Sequence, residues 1–263
     1  MRVGHHALLA HGRAVQVIRA RAKADAQVGW APVPKICIPD TEGEHDVAAA
    51  RAETFSVCGE RAMWSTTWWS DPVHFGRYPE DGLAHFGADA PAVAEGDMDT
   101  ICQPLDFFGL NVYYGDRVRA GAGGRAEVVE RPTGSPVTSL GAPIVPETMY
   151  WGTRFCWERY GLPLIITENG MDQQDFPNVD GNVEDPQRID FVRRYLRQLK
   201  RACNEGIPIQ GYFHWSIMDN FEWIHGYKPR LGLVYVDYVT QQRTVKDSGR
   251  WYAEVIRTNG GNL

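Results

Sequence analysis

A basic excess, a membrane-length apolar run and a paired-cysteine pattern are all missing from this 263-residue chain. Lys and Arg number 27 against 33 Asp and Glu, a net charge of −6. That balance argues against the basic face of a nucleic-acid binder. No apolar stretch approaches the ~18–20 residues of a membrane-spanning helix. The first residues carry no signal-peptide pattern, because Arg2, His5, His6, His11 and Arg13 interrupt them. The five cysteines, Cys37, Cys58, Cys102, Cys156 and Cys203, are scattered without any Cys-x-x-Cys spacing. Neither a disulfide framework nor a zinc site is expected, and a reducing, cytoplasmic setting fits best.

Aromatic residues, by contrast, are abundant, with nine Trp and eleven Tyr. They gather at Trp64–Trp69, Phe107–Tyr114 and Tyr212–Tyr227. Such clusters serve either as core or as platforms for apolar ligand faces.

Hydrophobic periodicity predicts an amphipathic helix over 5–21, with Leu8, Val15 and Ile18 on its apolar face. A strand follows at 33–38, then a helix over 44–61 and an irregular aromatic stretch over 62–80. A buried strand is expected near 106–112, and the Gly- and Pro-rich residues 115–146 read as a long loop. A helix over 147–160 should stop at Gly161. Residues 163–167 form the next strand. Asp185 and Pro186 mark the start of a helix whose stripe is Ile189, Val192, Leu196, Leu199 and Cys203, and Gly206 ends it. A strand at 209–215 and a helix over 247–257 complete the chain. Strands alternating with helices predict an α/β fold with a parallel sheet. Four strands are counted, and a closed (β/α)8 barrel needs eight.

Three constellations sit at the C-terminal ends of predicted strands, where parallel α/β folds keep their sites. Thr167-Glu168-Asn169-Gly170 places a carboxylate beside an Asn-Gly turn. Read alone, it is more often a solvated turn. Trp215 to Trp223 contains Glu222 flanked by indoles, which suits sugar recognition by carboxylate and ring. An aromatic loop with Asp219 as a helix cap is the plainer reading. Asn111-Val112-Tyr113 could bring a phenol to a carboxylate and keep it ionised, although a buried tyrosine bonded to backbone is the commoner case.

Together these residues resemble glycoside hydrolase family 1. Ile165 to Gly170 is similar to that family's nucleophile motif, and Trp215 to Trp223 to its sugar-binding motif. Further likeness lies in Asp106 to Tyr113, Asp71-Pro72 with Gly76 to Pro79, Gly232 to Asp237, and His5-His6 with Leu8 to Gly12. The likeness runs through essentially the whole chain, residues 1–263, in the family's order.

The resemblance implies a (β/α)8 TIM barrel of which this chain supplies about strands five to eight. It implies a retaining β-glucosidase with Glu168 as nucleophile, oriented by Tyr113, and Asn111 near the acid/base position. Trp215, Glu222 and Trp223 would hold the sugar of an unphosphorylated β-glucoside, with fucosides and galactosides as alternatives. No metal or organic cofactor is implied. The family's acid/base sits in an Asn-Glu-Pro motif, which this sequence lacks; the resemblance places it just before the chain's first residues. Leu140-Gly141-Ala142 stands where the family often has Met-Gly-Trp. A half barrel would expose two strand edges, so a partner is expected, either a complementary N-terminal half or a second copy, unless the sequence is a fragment of a longer protein. The alternative function is a non-catalytic sugar-binding protein or a degenerate relic.

Overall fold

The computed structural model describes all residues 1–263. The chain opens with α1 (Arg2–Arg21), followed by β1 (Gly29–Trp30), β2 (Cys37–Pro39) and α2 (Glu44–Phe55). Next come α3 (Thr66–Phe75), α4 (Glu80–Phe86), α5 (Asp97–Ile101), β3 (Phe107–Asn111), β4 (Asp116–Ala120) and β5 (Ala126–Val128). Then follow α6 (Thr148–Tyr160), β6 (Leu164–Asn169), α7 (Pro186–Asn204), β7 (Ile209–His214), β8 (Val234–Val236), β9 (Arg243–Val245) and α8 (Asp247–Arg257). No helix is long and apolar enough to cross a membrane.

The organising layer is a parallel four-stranded sheet in the order β1-β3-β6-β7. A 25-residue apolar cluster fills the space between this sheet and its helices, and includes Phe108, Leu110, Leu164, Ile166, Phe155, Tyr195 and Leu199. A second cluster, centred on Leu8, Trp68, Tyr78 and Ile101, joins α1, α3 and α5. Gly12 makes that junction possible: a Cβ there would lie 1.8 Å from the Thr100 carbonyl oxygen. Helix α6 ends at Gly161 in the left-handed conformation (φ 69°), as its sequence predicts.

Several expectations need correction. The first strand of the main sheet is Gly29–Trp30, not 33–38. The apolar run at 36–38 belongs instead to a small second sheet, β2-β4-β5. Its other two strands lie within the stretch read as loop, 115–146, because a Gly-Pro-rich segment still pairs where Asp116–Ala120 meets β2. Helix α2 stops at Phe55 rather than 61, and 62–80 contains α3 despite Pro72. Helices α4 and α5 are too short to show a period, and the sequence did not suggest them. The buried face of α7 is Arg188, Phe191, Val192, Tyr195, Leu196, Leu199 and Ala202, so Cys203 is exposed. An arginine inside the stripe displaced its apparent centre. Ile18 of α1 is likewise exposed.

Two histidines are held neutral by burial. His74, packed against Phe108 and Tyr160, has its pKa lowered to about 4. His214 is lowered to about 3, mainly by burial and then by Arg188. Both folded values lie below the unfolded one, so these groups favour folding above pH ~6.5 and oppose it increasingly below. We expect a loss of about 2 kcal/mol per histidine between pH 7 and 5. Urea titrations at both pH values test this. A His74→Phe variant should lose less than wild type on acidification, and equal losses would refute the assignment.

Candidate functional site

Parallel pairing brings the C-terminal ends of β3, β6 and β7 to one side of the sheet. Near its C-terminal end β6 carries one residue more than either neighbour, after β7 has an extra residue of its own at Gln210. Leu110 pairs with Ile166 and Asn111 with Glu168, so Thr167 is extra. On the other flank Ile166 pairs with Tyr212 and Asn169 with His214, so two β6 residues face Phe213 alone. A bulge of this kind re-aims side chains at a strand's end.

Asn169 is fully buried and ties the three ends together. Its amide nitrogen donates to the Val112 carbonyl (2.7 Å), and its oxygen accepts from the Tyr212 hydroxyl (2.8 Å). Gly170 does not serve a positive-φ turn, as the Asn-Gly pair suggested. A Cβ at this position would lie 2.0 Å from the Trp215 carbonyl oxygen. Asn169-Gly170 is therefore a cross-tie and a close approach of two backbones.

Held this way, Glu168 accepts a hydrogen bond of 2.7 Å from the Tyr113 hydroxyl. Burial, the bond to Glu168 and the charges of Glu168 and Glu222 push the Tyr113 phenol well above its ordinary range. The phenol therefore stays protonated and serves as a fixed donor. Asn111 is not part of that pair; its side-chain oxygen accepts from the Thr167 hydroxyl (2.5 Å).

A cleft of about 240 Å³ opens beside Tyr113, with Trp215, Glu222, Tyr114, Gly170 and Asp172 in its walls. One carboxylate oxygen of Glu222 is buried without a hydrogen-bond partner. Trp223 lies outside the lining and is 79% exposed. The structure thus gathers Glu168, Tyr113, Trp215 and Glu222, and leaves Asn111 and Trp223 at the margins.

Residues that sequence reasoning missed hold these walls. Asp172 accepts from Ser139 Oγ and from the Leu140 amide (2.7 Å), which fastens the 138–142 loop to the end of β6. Asp219 is no helix cap. It is buried, accepts from Lys246 Nζ (2.9 Å), Arg230 Nη1 (3.1 Å) and the Gly232 amide (3.0 Å), and so pins the loop that bears Glu222. Lys246 also reaches Asp175 (2.6 Å), which pairs with the fully buried Arg188 (2.6 Å). Arg188 in turn pairs with Asp185, whose side chain accepts from Ser248 rather than capping α7. These charges are dispersed over 70 residues of sequence, so no local pattern announces them. A buried Asp71 similarly receives Arg159 (3.2 and 2.5 Å) and Tyr160 (2.9 Å), fastening α3 to α6.

A carboxylate with a permanent phenol donor, next to a second carboxylate and an indole, can bind a polyhydroxylated ring and attack it. Comparison with known proteins gives the family. The family model for Glycosyl hydrolase family 1 matches residues 1–261. Beta-glucosidase A of Thermotoga maritima is 40% identical over 98% of this chain and 56% of its own length. The bifunctional beta-D-glucosidase/beta-D-fucosidase of Bifidobacterium breve is 37% identical over 97% of this chain and 57% of its own length. The solved T. maritima beta-glucosidase in complex with glucoimidazole superposes with a TM-score of 0.80 at 39% identity, covering 97% of this chain and 56% of that one. The chain therefore spans a little over half the length of these relatives, and its α/β architecture is theirs.

Proposed function

Because the chain belongs to glycosyl hydrolase family 1, we propose that it is the nucleophile-bearing part of a retaining β-glucosidase. Glu168 attacks the anomeric carbon and forms a covalent glycosyl-enzyme, which water then hydrolyses. Tyr113 orients Glu168 by its hydrogen bond. Glu222 and Trp215 hold the sugar, with the buried, unpartnered oxygen of Glu222 accepting from its hydroxyls. Trp223 joins them only if its loop turns inward. Asn111 stands at the neighbouring strand end, toward the acid/base position. The observation that carries this reading is the 2.7 Å Tyr113–Glu168 bond at a cleft that Glu222 also lines.

In this reading β1, β3, β6 and β7 are the fifth to eighth strands of a (β/α)8 barrel. The general acid comes from elsewhere, since the sequence holds no Asn-Glu-Pro. A general acid contributes roughly 10²–10⁴-fold, so the chain alone should turn over only substrates with very good leaving groups. The remaining barrel strands come from a complementary N-terminal half, separate or part of a longer chain, or from a second copy. Edge strand β7, with Phe213 60% exposed, supports such a partner. A cytoplasmic location is also part of the proposal, and five unpaired cysteines support it.

The test is incubation with an activated 2-deoxy-2-fluoro-β-glucoside, followed by mass spectrometry of the intact chain and its peptides. One fluoroglucosyl adduct on Glu168 is expected. A well-folded chain that binds glucosides yet forms no adduct would favour the second reading, a non-catalytic sugar-binding protein.

A further inference from the structure

Tyr113, which orients Glu168, stands just beyond the reach of the sheet. Strand β3 ends at Asn111. Past it, the Val112 amide donates to the Glu168 carbonyl (2.8 Å), and the Val112 carbonyl accepts from Asn169 (2.7 Å). Tyr113 follows, and its main chain makes one hydrogen bond. Its carbonyl oxygen accepts from the Tyr195 hydroxyl (2.7 Å).

Tyr195 lies on α7 and is completely buried. Its ring stacks on Phe191, with centroids 4.2 Å apart, and Phe191 lines the cleft beside Tyr113. The Tyr195 hydroxyl oxygen also accepts from the Val145 amide (3.0 Å), in the segment that leads into α6. A hydroxyl that donates to one group and accepts from another has its O–H direction fixed. Burial raises this phenol well above its ordinary range, so the proton that the Tyr113 carbonyl receives is always present. Three bonds therefore run in series: Val145 amide to Tyr195, Tyr195 to the Tyr113 carbonyl, and Tyr113 hydroxyl to Glu168. The main-chain position of Tyr113 sets where its phenol stands. A displacement of about 1 Å at a reacting group can cost on the order of 10²-fold in rate.

We propose that Tyr195 is a positioning residue for the nucleophile, holding Glu168 in its attacking geometry through Tyr113. The proposal rests on the reading of Glu168 as the nucleophile. The competing explanation is a staple between α7, β3 and the segment before α6, which would lower stability and leave the chemistry alone.

The test compares the chain with Tyr195→Phe, Tyr113→Phe and the double variant. Tyr195→Phe keeps the stacked ring and removes only the hydroxyl. Three quantities are measured: the labelling rate at saturating activated 2-deoxy-2-fluoro-β-glucoside, taken per folded chain by circular dichroism, the affinity for methyl 1-thio-β-glucoside, and the urea midpoint. Tyr195→Phe should slow labelling about three- to tenfold, with thioglucoside affinity changed by less than about twofold. In the Tyr113→Phe background the same substitution should alter the rate by less than about twofold, because the bond it serves is already gone. A lowered urea midpoint with an unchanged labelling rate overturns the proposal in favour of the staple. Equal slowing in both backgrounds overturns the route through Tyr113. A wild-type chain that takes up no label overturns the nucleophile reading and this proposal with it, whereas a labelled wild type with an unaffected Tyr195→Phe rate overturns this proposal alone.

Discussion

Replacing Lys246 with methionine should destabilise the chain by about 3–5 kcal/mol, although no part of that side chain reaches the surface. The cluster it belongs to balances Asp175, Asp185 and Asp219 against Arg188, Arg230 and Lys246. Burial pulls the Lys246 ammonium below its ordinary value, Arg188 adds to this, and Asp175 and Asp219 oppose it. Removing the ammonium leaves an excess negative charge where water cannot reach. The loss should be large against a total stability of roughly 5–15 kcal/mol. Chemical denaturation of Lys246→Met beside Arg194→Ala provides the measurement. Arg194 pairs with Asp190 at the surface, both more than half exposed, and its loss should cost less than about 1 kcal/mol. Equal costs for the two variants would show that the buried cluster contributes nothing beyond a surface pair.

Tyr113→Phe should slow fluoroglucoside labelling of Glu168 by about 10–100-fold, and Glu168→Gln should abolish it. The phenol donates at 2.7 Å to a carboxylate, and a hydrogen bond to a charged group is worth about 1.5–3 kcal/mol, which converts to that range of rate. The ring itself packs in the cleft wall, so phenylalanine keeps the shape and removes only the donor. Labelling rates of the two variants, with circular dichroism to confirm folding, decide the matter. A Glu168→Gln chain that still acquired the adduct would place the nucleophile elsewhere. An unaffected Tyr113→Phe rate would reduce the hydroxyl to a spectator.

The sequence disclosed those parts of the molecule that local chemistry dictates. Gly161, Pro186 and the strand cores at 107–111 and 164–169 were readable because a cap, a missing N–H and a run of β-branched and aliphatic residues act over one turn or one strand. That Glu168, Tyr113, Trp215 and Glu222 would lie on one side of the sheet was readable because each sits at or beyond the C-terminal end of a strand, and parallel pairing puts those ends together. What stayed hidden depends on distance in sequence. Strand β1 is two residues long and is a strand only because β3 pairs with it. Strands β4 and β5 exist because β2 offers an edge. Asp219, Lys246 and Arg188 look like ordinary surface charges until the chain has folded around them. Cys203 lies off the buried face of α7 because that stripe contains a paired arginine, which apolar periodicity does not reveal.

The extra residue in β6 has a further consequence, which concerns counting. Side chains alternate along a strand, so facing obeys odd and even. Leu164 and Ile166 point into the helical core, and the additional residue changes that parity just before Glu168. Deleting Thr167 would make the ladder regular and keep Glu168 opposite Asn111, at the cost of the Thr167–Asn111 hydrogen bond. Deleting two would bring Glu168 opposite Leu110, on the face that Ile166 now turns to the core, and out of the phenol's reach. The extra residue therefore gives this strand end a tolerance of one: a single loss keeps the carboxylate facing the phenol's side, and a second turns it into the core.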